Sequence, residues 1–207
     1  MATKRDYLFV TVVGFIFGVL MIPILLNTKA RFWHPTAASI LLLIGGAILF
    51  SLFCMFVGSV LSKRWPPLWQ FVKFGATGAM NFSVDVGILN LLSLLTGIYA
   101  GLYIILLNSA SVAVSVLNSY VWNKLWTFES REKFNWAEFG RFILISIGGI
   151  IVNSGLVYIL TTPVGPLGNF SPAVWENISK LIATAFSLTV TFSGYKLFVF
   201  KPKSDVS

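Results

Sequence analysis

Apolar residues run through this chain in long blocks broken by short polar segments. Six blocks are each about as long as a bilayer-spanning helix, which needs roughly 20 residues. They cover about 7–27, 37–61, 73–95, 102–122, 141–162 and 175–195. The first is longer than a signal-peptide core and no A-x-A site follows it, so it is expected to stay as an uncleaved span. Pro23 is expected to kink it.

Polar residues are costly inside such blocks and should face protein or water. Here they fall on shared helix faces. In the third block Gly78, Asn81 and Asp85 step by three and four, which stacks them on one side of a helix. The fifth block repeats that face as Ser146, Gly149 and Asn153. The fourth carries Asn108, Ser111, Ser115 and Asn118, and the sixth carries Lys180, Thr184, Ser187 and Thr191. Asp85 and Lys180 fall at similar depths by helical rise and are expected to approach each other or share a hydrated cavity. Glu176, four residues before Lys180, is the competing partner. Stripes of Ser, Thr and Gly also serve as glue between membrane helices, so both readings stay open. The first two blocks lack such faces and offer a Gly14-x-x-x-Gly18 packing pair.

The chain also repeats itself. Lys124, Leu125, Trp126 and Phe128 align with Lys196, Leu197, Phe198 and Phe200. Phe71, Lys73, Phe74, Asp85 and Gly87 align with Phe139, Arg141, Phe142, Asn153 and Gly155. The two offsets differ by four, an insertion expected within "TTPVGPLGNFSP". Residues about 71–128 and 139–200 thus read as two copies of a two-span unit in the same orientation, the parallel-repeat arrangement. The expected fold is an all-α integral membrane protein with six transmembrane helices. It divides into an N-terminal two-helix hairpin, 1–66, and a four-helix bundle of two parallel repeats, 67–203.

Composition supports the bilayer. The 207 residues are 57% hydrophobic and 11% charged, with a mean hydropathy of +0.84, where soluble domains carry about 25% charge. The net charge of +8 does not argue for nucleic acid, because the cations sit at the ends of apolar blocks rather than on one face of a soluble domain. With the N-terminus inside, nearly all of them fall on the cytoplasmic side, as the positive-inside rule requires. Both termini are then cytoplasmic. Trp33 and Trp175 mark the outer interface, and Trp65, Trp69, Trp122, Trp126 and Trp136 the inner one. The loop "SREKFNWAEFGRF" is expected to hold a short helix on the inner surface.

Several chemistries lack their signatures. The single cysteine, Cys54, excludes an intrachain disulfide and a Cys-based metal site. No zinc-protease, nucleophile-elbow or phosphate-loop motif occurs, and the single histidine, His34, lies in a loop. No catalytic residue, metal or cofactor is expected, and the protein reads as a non-enzyme.

The stretches "FVKFGATGAMNFSVDVGILNLL", "NSYVWNKLWTF", "EFGRFILISIGGIIVNSGLVYIL" and "GYKLFVF", in that order, resemble the GtrA-like family. Its members are four-span membrane proteins, and the unit is also found attached to dolichyl-phosphate mannose synthase-type glycosyltransferases. The resemblance covers about residues 70–202. The second unit departs from the pattern: Asn153 stands where Asp85 does, and Tyr195 replaces the asparagine supplied by Asn123. The resemblance implies a bacterial or archaeal cytoplasmic membrane and a role in envelope polysaccharide or glycolipid synthesis. There a polyprenyl-phosphate-linked sugar is moved between leaflets, beside membrane lipids and a partner glycosyltransferase. On that reading Lys73, Lys124, Arg141 and Lys196 meet the phosphate at the inner leaflet, with Asn118 and Asn123 as neutral donors. Asn81, Asp85 and Asn153 accept sugar hydroxyls in a groove that Asn108 also lines, and Lys180 receives the phosphate toward the outer side. A homodimer would help seal so small a pathway. Two other readings remain: a scaffold that recruits a glycosyltransferase through Phe134, Trp136 and Glu138, and a small multidrug or cation exporter using Asp85.

Overall fold

The computed structural model describes residues 2–127 and 136–194. They form six long helices: α1 Lys4–Asn27, α2 Ala37–Leu61, α3 Pro67–Thr96, α4 Leu102–Trp122, α5 Trp136–Ile159 and α6 Pro172–Gly194. No strand occurs among the described residues. Helices α1 to α5 contain stretches long and apolar enough to cross a membrane, which makes this a multi-pass integral membrane protein. Six spans were expected; α6 does not reach that apolarity, because Glu176, Lys180 and several hydroxyls interrupt its run.

Local chemistry sets the helix ends. Thr3 and Asp6 form a capping box at the start of α1, and Thr36 and Ser39 form another at the start of α2. Each satisfies backbone N–H groups that the first helical turn leaves open. Pro67 opens α3 at a position where its missing N–H costs nothing, and Gly97 closes it with φ 70, a left-handed cap that glycine adopts without strain. Pro23 lies inside α1, which continues through it. The surface helix expected over 130–142 falls partly on 130–135, which lie outside the described residues; Trp136 to Phe142 form the first turns of α5.

Two π-helical turns extend the regular helices. Asn123–Thr127 prolongs α4, and Leu160–Val164 prolongs α5. The second contains Pro163, whose ring clashes with an α-helical carbonyl four residues back. The first carries the N-K-L-W-T motif and buries Trp126 and Thr127 while leaving Leu125 exposed.

The chain forms two compact units. The first comprises Met1–Gly97 with Ser111–Arg131, the second Ile98–Ala110 with Glu132–Ser207; α4 contributes to both. In the first unit α1 packs along both α2 and α3. Val10, Val13, Met55, Met80, Val84 and Trp126 form its core. Gly14 and Gly18 bring α1 against α2 so closely that an added Cβ would lie within 3 Å of the Ile48 or Ile44 backbone. Gly87 admits Leu20 of α1 against α3 in the same way. In the second unit α5 packs on α6, and the Trp175 indole donates to the Leu160 carbonyl over 2.7 Å. Large apolar side chains such as Leu41, Leu42, Leu49 and Phe53 are exposed along α2, a surface that only lipid or protein can cover.

Candidate polar sites within the helices

In the first unit the polar faces of α3 and α4 meet as an antiparallel ladder. Thr77 and Thr127 share a hydrogen bond of 3.1 Å. Asn118 donates to Asn81 Oδ1 over 2.6 Å, and Ser115 donates to the Asn81 carbonyl over 2.8 Å. One turn on, Ser111 donates to Asp85 Oδ1 over 2.8 Å. The steps of four along α3 bring each rung onto the same side. Asp85 is buried, so a carboxylate stands inside the helix bundle with a hydroxyl on one oxygen.

In the second unit Lys180 is the centre. It is 0% exposed. Its Nζ donates to Asn108 Oδ1 over 2.5 Å and reaches Asn153 Oδ1 at 3.4 Å. Asn108 in turn donates to Asn153 Oδ1 and to Ser154 Oγ over 2.8 and 3.0 Å. Asn153 donates weakly toward Thr184 and Ser187 at 3.4 and 3.5 Å. Amide dipoles thus turn their oxygens toward the lysine amine, in surroundings where poor screening strengthens each contact. The adjacent Ser179 hydroxyl is buried with no hydrogen-bond partner. Above this group Glu176 is also fully buried. Burial first, and then the charge of Glu176, pushes the Tyr99 phenol above its ordinary pKa.

Lys73 and Lys124 lie elsewhere. Lys73 is buried and pairs with Asp6, Nζ to Oδ1 at 2.8 Å. The same Asp6 oxygen accepts from the Trp126 indole at 2.9 Å, while its other oxygen caps α1 through Thr3. Phe9 stacks on Trp126, and Trp122 meets both rings edge-on. Arg5 donates to the Leu125 carbonyl over 2.9 Å. The start of α1 therefore clamps the motif that ends α4. Lys124 is half-buried, with its Nζ 3.4 Å from the Tyr120 hydroxyl. Asn123 donates to Ser119, and its Oδ1 is buried without a hydrogen-bond partner. Arg141 lies in α5 with its side chain outside the described residues, as are Lys196 and Tyr195 entirely.

The structure thus groups Asn81, Asp85 and Asn118 in one unit and Asn108, Asn153 and Lys180 in the other. The face read along α4 is divided between them after Asn108. Ser146, placed on a matching face of α5, bonds the Phe142 carbonyl of its own helix. Sequence reasoning missed Asp6, Thr77 and the pair in which Asn27 donates to Asn90 over 2.9 Å. The signal for Asp6 was present: T-x-x-D at a helix start, with one acid among the cations. The first two helices are thus not devoid of polar contacts, because α1 ties to α3 through Asp6 at one end and Asn27 at the other.

Residues 73–200 match the GtrA/DPMS transmembrane domain family. The chain is also similar to "Uncharacterized membrane protein YngA" of Bacillus subtilis (strain 168), 29% identical over 134 residues, which is 62% of this chain and 77% of that protein. No solved structure matches. The family accounts for α3 to α6 and for both polar clusters, while α1 and α2 precede it; this chain belongs to the GtrA/DPMS transmembrane domain family.

Proposed function

We propose that this protein carries a polyprenyl-phosphate-linked monosaccharide from the inner to the outer leaflet of a bacterial or archaeal cytoplasmic membrane. The family points to a membrane role in handling glycolipid sugars. The observation that carries the finer reading is Lys180, fully buried and held by the Asn108 and Asn153 amides. A cationic side chain buried at membrane depth is costly and marks ion or substrate pathways, and an amine is a group that can meet a phosphate. The ladder through Asn81, Asp85 and Asn118 offers hydroxyl-binding groups of the kind a sugar needs.

In this reading α6 is a sixth span, both termini are cytoplasmic and the 71–128 and 139–200 segments are parallel repeats. Lys124, Arg141 and Lys196 draw the phosphate to the inner interface. Lys73 joins them only after leaving Asp6. Asn123 lends a neutral donor beside Lys124. The protein performs no covalent chemistry and works beside a glycosyltransferase that makes the lipid-linked sugar, as a homodimer. The test is leaflet exchange of a short-chain polyprenyl-phosphate sugar in liposomes holding the purified protein. Exchange above empty liposomes, lost in Asp85→Ala and Lys180→Met proteins of unchanged thermal midpoint, supports the reading. Exchange that survives both substitutions overturns it.

A second reading, a non-transporting scaffold for the glycosyltransferase, is favoured by Trp136. It opens α5 at 77% exposure, edge-on to Phe139. In that case Trp136→Ala abolishes enzyme recruitment and Asp85→Ala does not.

A further inference from the structure

A cavity of about 340 Å³ opens between α1, α2 and α3, walled by Val13, Phe17, Phe50, Cys54, Phe71 and Gly75 among others. It lies wholly in the first unit. At about 30 Å³ for each water-sized group, it has room for roughly eleven such groups. Its lining is apolar apart from Ser51 and Cys54. Gly75 forms part of one wall, and a Cβ there would meet nothing within 4 Å. The space is therefore open rather than a seam awaiting closure.

Two observations say what fills it. First, the cavity lies on the face of α3 that carries Val72, Gly75, Ala76 and Ala79. The polar rungs at Thr77, Asn81 and Asp85 lie on the opposite face, by the 100° step of an α-helix. The cavity is thus separated from the ladder by the width of a helix, and it is not continuous with the polar route proposed for a sugar. Second, the loop joining its α2 and α3 walls exposes Lys63, Arg64 and Trp65. Tryptophan favours the headgroup level, and paired cations there attract anionic lipid heads.

We propose that this cavity is a binding site for one acyl chain of an anionic bilayer phospholipid, with its headgroup over Lys63 and Arg64. The lipid is a resident part of the α1–α2–α3 unit and is distinct from any transported lipid. It fills the gap between the N-terminal hairpin and the family domain, where α2 contributes few buried residues of its own.

The test uses the purified full-length protein in phosphatidylcholine vesicles doped with phosphatidylglycerol carrying a diazirine on one acyl chain. Irradiation is expected to place the label on α1, α2 and α3 beside Cys54 and Phe71. Gly75→Phe and Ala79→Phe should each lose that adduct, while Gly46→Phe, which projects from α2 into open space, should keep it. A double Lys63→Ala, Arg64→Ala protein should lose the preference for phosphatidylglycerol over a matched phosphatidylcholine probe. In the unaltered protein, maleimide labelling of Cys54 should slow when phosphatidylglycerol is added back after delipidation. An undiminished adduct in both filled variants, or Cys54 reactivity indifferent to added lipid, overturns the proposal. Displacement of the probe by equimolar polyprenyl phosphate also overturns it, because the site would then belong to the cargo.

Discussion

Lys73 and Asp6 form a buried ion pair between α3 and the first turn of α1, with Nζ and Oδ1 2.8 Å apart and side chains only 5% and 4% exposed. Lys73 therefore has an internal counter-anion. A phosphate that reaches Lys73 has to compete with a carboxylate already held by Thr3 and Trp126.

Breaking this pair should be costly. Asp6→Asn keeps hydrogen-bonding capacity toward Thr3 but strands a buried cation, and one-sided losses of this kind run to about 3–5 kcal/mol. The double change Asp6→Asn, Lys73→Met should recover much of that loss. Thermal unfolding in detergent of the single and double proteins checks it; strictly additive losses would refute the pairing.

Trp126→Phe preserves the ring stack on Phe9 while removing the donor to Asp6. A hydrogen bond to a charged group contributes about 1.5–3 kcal/mol, so stability should fall by that amount in wild type and by much less in an Asp6→Asn background. The same unfolding assay reads the difference.

The Asn81–Asn118 rung should show coupling. Hydrogen bonds between membrane helices average about 0.6 kcal/mol and reach about 1.7. A double-mutant cycle with alanine at both positions, read by unfolding in bicelles, should return a value in that range. A value indistinguishable from zero would remove the rung.

Gly87→Ala should push α1 from α3, because its Cβ would sit 2.7 Å from the Leu20 Cβ. Overpacking of this kind costs about 1–3 kcal/mol. Gly75→Ala, with open space at its Cβ, should instead be neutral or stabilise by up to ~1 kcal/mol through helix propensity. A lowered thermal midpoint for Gly87→Ala and an unchanged or raised one for Gly75→Ala are the expected outcome.

Tyr99 should ionise late. Folding favours its protonated form, so its contribution to stability is intact below the ordinary tyrosine value of 10.0 and is lost as pH climbs from there through the raised folded value. Glu176→Gln should move the transition back only in part, because burial is the larger cause. Ultraviolet difference titration against Tyr99→Phe measures both.

Much of this protein was legible in its residues. Long apolar blocks permit few structures besides helices in a membrane, because lipid leaves backbone groups no other partners. That accounts for α2 and α4, whose bounds agree with the apolar blocks, and for the polar faces, which follow from the 3.6-residue period alone. The family was legible too, because its motifs depend on order and spacing.

What the tertiary structure decided is who meets whom. Periodicity places Asn108, Ser111, Ser115 and Asn118 on one face of α4, but it does not say that Asn108 turns to Lys180 and Asn153 while Ser111 turns to Asp85. Nor does it reveal that Asp6 answers Lys73 across sixty-seven positions of sequence. Partner choice depends on how helices are rotated and set in depth against one another. Those are fixed by close contacts such as Leu20 on Gly87 and by turns such as Asn123–Thr127. Both arise from three-dimensional packing between distant segments, which one-dimensional spacing along the chain does not encode by itself.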